Sequence, residues 1–222
     1  MPREQYQSQL VGLREDVLTI GQIVIERFRM GLNVIETRQE ALARKIRDSD
    51  KEVNELYLDI ESICVDLFAL QQPVATDLRF IVASFKISTD LERIADLAVN
   101  LAEYSVEVDE ETFPDVDLRE IGNVAVEMLG DAIEAYSAED TWGCHEVAAD
   151  DDELDALCER SGKVIVRDLI EAEMRSEAAT EDLMRDVFWL TLVIRDLERI
   201  GDHIVNIAVR TLYMIENDAE LI

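Results

Sequence analysis

One stretch of this chain occurs twice. DLERIADLAVNLA over residues 90–102 matches DLERIGDHIVNIA over 196–208, with nine of 13 positions identical at an offset of 106. A second pair is weaker: DKEVNEL over 50–56 matches DDELDAL over 151–157, at an offset of 101. A repeat of this length implies one structural unit used twice. The chain must therefore fold into something that accommodates two copies of that unit.

The unit is helical. Leu10, Leu13, Val17, Ile20, Val24, Phe28 and Ile35 recur at steps of three and four, with Gly31 in the gap. That spacing predicts one buried stripe on a long first helix. Thr37 with Glu40 reads as a capping box opening a second helix. Its stripe is Val53, Leu56, Ile60, Ile63, Leu67 and Leu70. Ser49 with Glu52 has the same signature, so a kink or restart is expected near Asp50. Pro73 stops this helix, since proline disfavours helix in the residue before it. A third helix is expected from about Val74 to Val106. The acidic, turn-like stretch 107–115 marks the boundary between halves, giving units 1–108 and 109–222. The pattern then restarts, with Leu118 to Ala132 on a fourth helix. Ser137 with Asp140 is expected to open a fifth helix, and Thr180 a sixth. The fold class is all-α: two tandem antiparallel three-helix bundles related by internal pseudo-symmetry. Three prolines and eight glycines in 222 residues are too few for an all-β chain.

The formal net charge is −29, from 50 acidic and 21 basic residues. Nucleic acid and anionic lipid carry the same sign, so both are excluded as partners. Only four of the basic residues are lysines. Excess carboxylate with so little lysine points to a high-salt cytoplasm, where screening suppresses self-repulsion. Cys64, Cys144 and Cys158 contain no C-x-x-C pair, so neither a disulfide framework nor a zinc ribbon is indicated. The N-terminus lacks an apolar signal core, and no apolar run spans a bilayer. A cytoplasmic protein without membrane insertion is expected.

The polar residues of the repeat carry the functional expectation. Glu92 and Asp96 lie one helical turn apart, with Asn100 a turn further; Glu198, Asp202 and Asn206 repeat this. Like charges at i and i+4 cost a helix a few tenths of a kcal/mol, roughly. A cation between them reverses that sign. Oxygen donors suit magnesium, manganese and iron. Asp50 with Asn54, and Asp151 with Asp155, occupy the second helix of each half and can face these pairs, although for these four residues a solvated surface face is the favoured reading. Arg93 and Arg199 recur too, so an arginine–carboxylate network is the alternative. A chain this acidic has many i, i+4 acidic pairs by chance, and the metal reading rests on repetition alone. His203 has Leu97 as its counterpart and reads as a surface or supporting residue. Cys158 reads as a core-edge thiol, and Trp142 and Trp189 as packing or partner-surface residues. A di-iron carboxylate enzyme needs Glu-x-x-His motifs, but Trp142 and Ile200 stand three residues before His145 and His203. No glycine-rich phosphate loop or nucleophile triad is present, and no enzymatic activity is expected.

The doubled D-L-E-R-I-x-D-x-x-V-N-x-A, with QQPVATDLR over 71–79, resembles the signature of the PhoU family of phosphate-uptake regulators. The similarity extends over roughly residues 5 to 215. It implies two symmetric three-helix bundles that hold divalent or multinuclear metal (iron, zinc, manganese or magnesium). The acidic motifs fall on Glu92/Asp96 and Glu198/Asp202, faced by Asp50, Asp151 and Asp155. The resemblance also implies negative regulation of phosphate import. The implied partners are the phosphate ABC transporter's ATPase, a sensor histidine kinase, and a second copy in a homodimer. Two departures stand out. Asn54 replaces an acidic residue, and the second half has AATEDL over 178–183 in place of the QQP element. The alternative is an accessory subunit of a different transporter. A halophilic archaeal source would also make a kinase partner less apt.

Overall fold

The computed structural model describes residues 3–71, 73–107, 116–174 and 181–217. Six helices make up these segments: α1 Arg3–Thr37, α2 Glu40–Gln71, α3 Ala75–Ser105, α4 Leu118–Ala138, α5 Thr141–Met174 and α6 Glu181–Glu216. The stripe on α1 is buried from Leu10 through Phe28, as its period dictates. Where the stripe skips a step, Gly31 brings α1 against the α3 backbone. A Cβ there would lie 3.0 Å from the Ala98 carbonyl oxygen.

Each half is an up-down-up bundle. The halves meet along α3 against α6 and along α1 against α4, while α2 and α5 lie on the outside. The core is shared. Leu13, Ile60, Leu91, Leu129, Leu154 and Leu197, one from each helix, belong to a single buried cluster. The expected division after residue 108 falls within 108–115, outside the described residues.

Three helix starts differ from expectation. Thr37 closes α1 rather than opening α2: its hydroxyl donates to the Asn33 carbonyl at 2.7 Å. Arg38 then turns the chain at φ 51°. α2 runs unbroken through Asp50, and Glu52 pairs with buried Arg27 across the bundle at 3.0 Å instead of capping. Ser137 belongs to α4. The chain reverses at left-handed Glu139, and Asp140 accepts from the Trp142 amide at 3.0 Å. Asp117 caps α4 by accepting from the Glu120 amide at 2.9 Å, a group the helix itself leaves unsatisfied. Thr180, the expected start of α6, lies outside the described residues.

Candidate functional site

Gly201 sets the geometry of the second half. A Cβ at this position would meet Leu154 Cδ2 at 2.5 Å and Asp151 Oδ1 at 2.8 Å. The missing side chain lets α5 settle onto α6 and lays the Asp151 carboxylate over the α6 backbone. Burial pushes the Asp151 carboxyl up to about 6, reinforced by Asp155, Asp202, Asp152 and Glu198. Asp155 is raised by burial, then by Asp202 and Asp152. Asp151, Asp155, Glu198 and Asp202 thus lie close enough for Asp151 to feel the charge of the other three. Among the described residues none of the four carries an ion pair, because Arg199 turns instead to Asp196 at 3.5 Å. Cys158 borders the cluster as a buried thiol. Its pKa is pushed up to about 12 by burial, then by Glu198, Asp155 and Asp151.

The first half is different. Arg93 reaches both Glu92, at 3.5 Å, and Asp96, at 3.4 Å. Here the arginine–carboxylate alternative is what the structure shows. Asn54 sits half-buried on α2, and the Asp50 side chain lies outside the described residues.

The cause of this asymmetry is a pair of buried aspartates that head the repeat. Asp90 on α3 is held from α6: it meets His203 Nδ1 at 3.0 Å and accepts from Arg210 Nε at 2.6 Å. Arg93 pairs instead with half-buried Glu92 and with Asp96. Asp196 on α6 accepts from Asn100 of α3 at 3.3 Å and from its neighbour Arg195 at 2.8 and 3.0 Å. It also draws in Arg199. Tyr104 of α3 lies near Arg195 and stacks on Trp189 of α6, ring centroids 5.4 Å apart. The two aspartates form reciprocal clasps across an antiparallel α3–α6 seam. Asn100 thus spends its amide on the seam, and Asn206 is half-buried on α6. His203 is a seam residue with a buried partner, more than the surface role its sequence suggests. Sequence reasoning passed over Asp90 and Asp196. The available signal was their identity at the head of both copies.

The donor chemistry of the second cluster fits a divalent cation: four carboxylates, mutually repelling, with no arginine between them. The site is not preassembled. Among the described residues no group of three or more His, Cys, Asp or Glu side chains is already gathered where it could hold a metal ion. A bound cation would have to draw these carboxylates inward. No described helix is long and apolar enough to cross a membrane.

Two three-helix bundles joined by a clasped seam, with paired acidic motifs on α3 and α6, define a doubled helical-bundle protein. Comparison with known proteins gives the family. The PhoU domain model matches residues 17–105 and 118–211, and the chain belongs to the PhoU family. It is 29% identical over 215 residues to the phosphate-specific transport system accessory protein PhoU homolog of Pseudomonas aeruginosa, spanning 96% of this chain and 86% of that protein. PhoU homolog 1 of Thermotoga maritima is 30% identical over 212 residues, spanning 94% and 88%. The crystal structure of PhoU from Pseudomonas aeruginosa superposes with a TM-score of 0.87 at 28% identity, over 96% of this chain and all of that one. That of the phosphate transport system regulatory protein PhoU from Streptococcus pneumoniae gives 0.85 over 96% and 98%, at 24% identity, a likeness of fold alone.

Proposed function

We propose that this chain is a non-enzymatic accessory regulator of phosphate transport, restraining import through the phosphate ABC transporter when phosphate is plentiful. The observation that carries the reading is the family match over both halves, together with the named role of the relatives as phosphate transport accessory proteins. The transporter's ATPase is the proposed contact. A sensor kinase is the further signalling partner, and the chain acts as a homodimer in the cytoplasm. Its acidic surface suits a high-salt interior. A deletion strain should import phosphate without restraint in rich medium, and restoring this gene should return uptake to its original rate. Unchanged phosphate uptake in the deletion strain, with uptake of another ion altered, would assign the chain to a different transporter.

Divalent cation binding by Asp151, Asp155, Glu198 and Asp202 is part of this proposal. The bound ion supplies positive charge that replaces mutual repulsion with shared coordination. The chain's residues supply the donors, and Gly201 supplies the close approach. Glu92 and Asp96, flanked by Asn100, form the weaker counterpart because Arg93 already occupies their charge; Asn206 flanks the stronger set. Elemental analysis of protein purified without chelator tests this. Metal should fall sharply in the D151N/D155N/E198Q/D202N variant and little in E92Q/D96N. Equal metal content in all three proteins would refute it.

A further inference from the structure

Arg93 and Arg199 occupy the same place in the two copies of the repeat, yet they end on different carboxylates. Each arginine has two destinations on its own helix. One is the aspartate three residues before it, Asp90 or Asp196. The other is the acidic motif that flanks it, Glu92 with Asp96 or Glu198 with Asp202. Residues three apart on a helix are neighbours, so one side chain can reach either. Arg93 takes the motif, at 3.5 and 3.4 Å. Arg199 takes the aspartate, at 3.5 Å.

The difference lies in what meets each aspartate across the seam. Asp90 receives His203 and Arg210 from α6. At the 106-residue offset, the α3 residues that would do the same for Asp196 are Leu97 and Tyr104. Neither is a basic side chain. From α3, Asp196 accepts instead from the neutral Asn100 amide. Its side chain is fully buried, and a buried carboxylate without a cation is costly. α6 supplies that charge itself, from Arg195, which stands where the first half has Thr89, and from Arg199. We propose that Asp196 is a positioning residue for cation binding: by holding Arg199, it keeps Glu198 and Asp202 free of an internal counter-charge and open to a divalent metal ion. In the first half Asp90 is satisfied from α6, and Arg93 counters the charge of the motif. This inference rests on the cation reading of the second cluster and adds the residue that decides which half stays open.

Manganese binding to the full chain, followed by the electron paramagnetic resonance signal of the free ion, tests it. Wild type should bind. Asp196→Asn keeps the shape but releases Arg199 onto Glu198 and Asp202, and should weaken binding at least tenfold. Arg199→Gln alone should bind at least as tightly as wild type. Combining Asp196→Asn with Arg199→Gln should return affinity to the wild-type level. Removing an arginine would not repair a damaged seam, so this rescue separates positioning from stability. Tyr104→Arg gives a second route with Asp196 intact. It offers Asp196 the partner that Arg210 gives Asp90, and should also weaken binding at least tenfold. Wild-type affinity in Asp196→Asn, or in Tyr104→Arg where the first variant does not fold, would overturn the proposal. So would a loss in Asp196→Asn that Arg199→Gln fails to reverse. A wild-type chain that binds no manganese would remove the cation reading itself, and this inference with it.

Discussion

Replacing Asp90 by asparagine isolates the clasp between the halves. The carboxylate is 6% exposed and takes one charge-assisted contact from Arg210 and one from His203, both on α6. A hydrogen bond to a charged group contributes about 1.5–3 kcal/mol. Asparagine keeps the shape and one acceptor oxygen, so one such contact and the ionic part of the other are lost. The Arg210 side chain is 27% exposed and regains some hydration, which places the cost near 2–3 kcal/mol, below the 3–5 for breaking a fully buried pair. For a chain of this length 1 kcal/mol shifts Tm by about 2–4 °C. Thermal unfolding of D90N should therefore occur about 4–12 °C lower. Because the pair is buried, the loss should persist at high salt, where surface pairs are screened. A double-mutant cycle with R210M should show at least about 1 kcal/mol of coupling. An unchanged Tm, or strictly additive effects of D90N and R210M, would refute the clasp.

Other outcomes follow from the same geometry. Gly130 sits mid-α4 with open space where a Cβ would go, so G130A should stabilise by about 0.5–1 kcal/mol in chemical denaturation. Gly122 is the reverse case: a Cβ would overlap Leu32 of α1, and overpacking of this kind costs about 1–3 kcal/mol, so G122A should lower the denaturation midpoint. Asp151, raised in the fold to about 6 from 3.8, binds its proton more tightly folded than unfolded. Its contribution to stability is fully present below pH 3.8 and is lost as pH rises through about 6. Denaturation in EDTA should show wild-type stability falling across that window, and D151N should flatten the fall. A flat wild-type profile would contradict the crowding of these carboxylates. Cys64 and Cys158 are buried and their thiols are held near 12, so a thiol reagent should label them only on unfolding; fast labelling of folded protein would count against the packing.

Much of the fold is legible in the sequence because it depends on period. The stripe from Leu10 to Phe28 needs only the 3.6-residue repeat to be recognised, and all six of its positions are buried. Helix starts were harder. Thr37 and Glu40 carry the letters of a capping box, but the chain reverses at Arg38 with positive φ, and backbone reversal at a non-glycine residue leaves no compositional mark. The carboxylates on α5 and α6 were legible because antiparallel neighbours bring Asp151 and Glu198 to the same height. What stayed hidden was the destination of each arginine. Arg93 and Arg199 occupy identical places in the repeat, yet one meets Glu92 and Asp96 while the other meets Asp196. That choice depends on which side chains of the opposite half reach Asp90, and such information is non-local.

The seam between α3 and α6 joins two descendants of one sequence that are no longer alike. Two identical subunits meeting along such a seam would have to change together, since every substitution would appear on both sides. Fusion into one chain removes that constraint. Leu97 and His203 stand at matching places, as do Ala95 and Gly201, and each difference acts on one half only. The histidine reaches across to Asp90 and spares Arg93, while the glycine tightens α5 onto α6. Covalent linkage thus lets the halves differ: Arg93 pairs with the acidic motif of its own half, while Arg199 pairs with Asp196 instead.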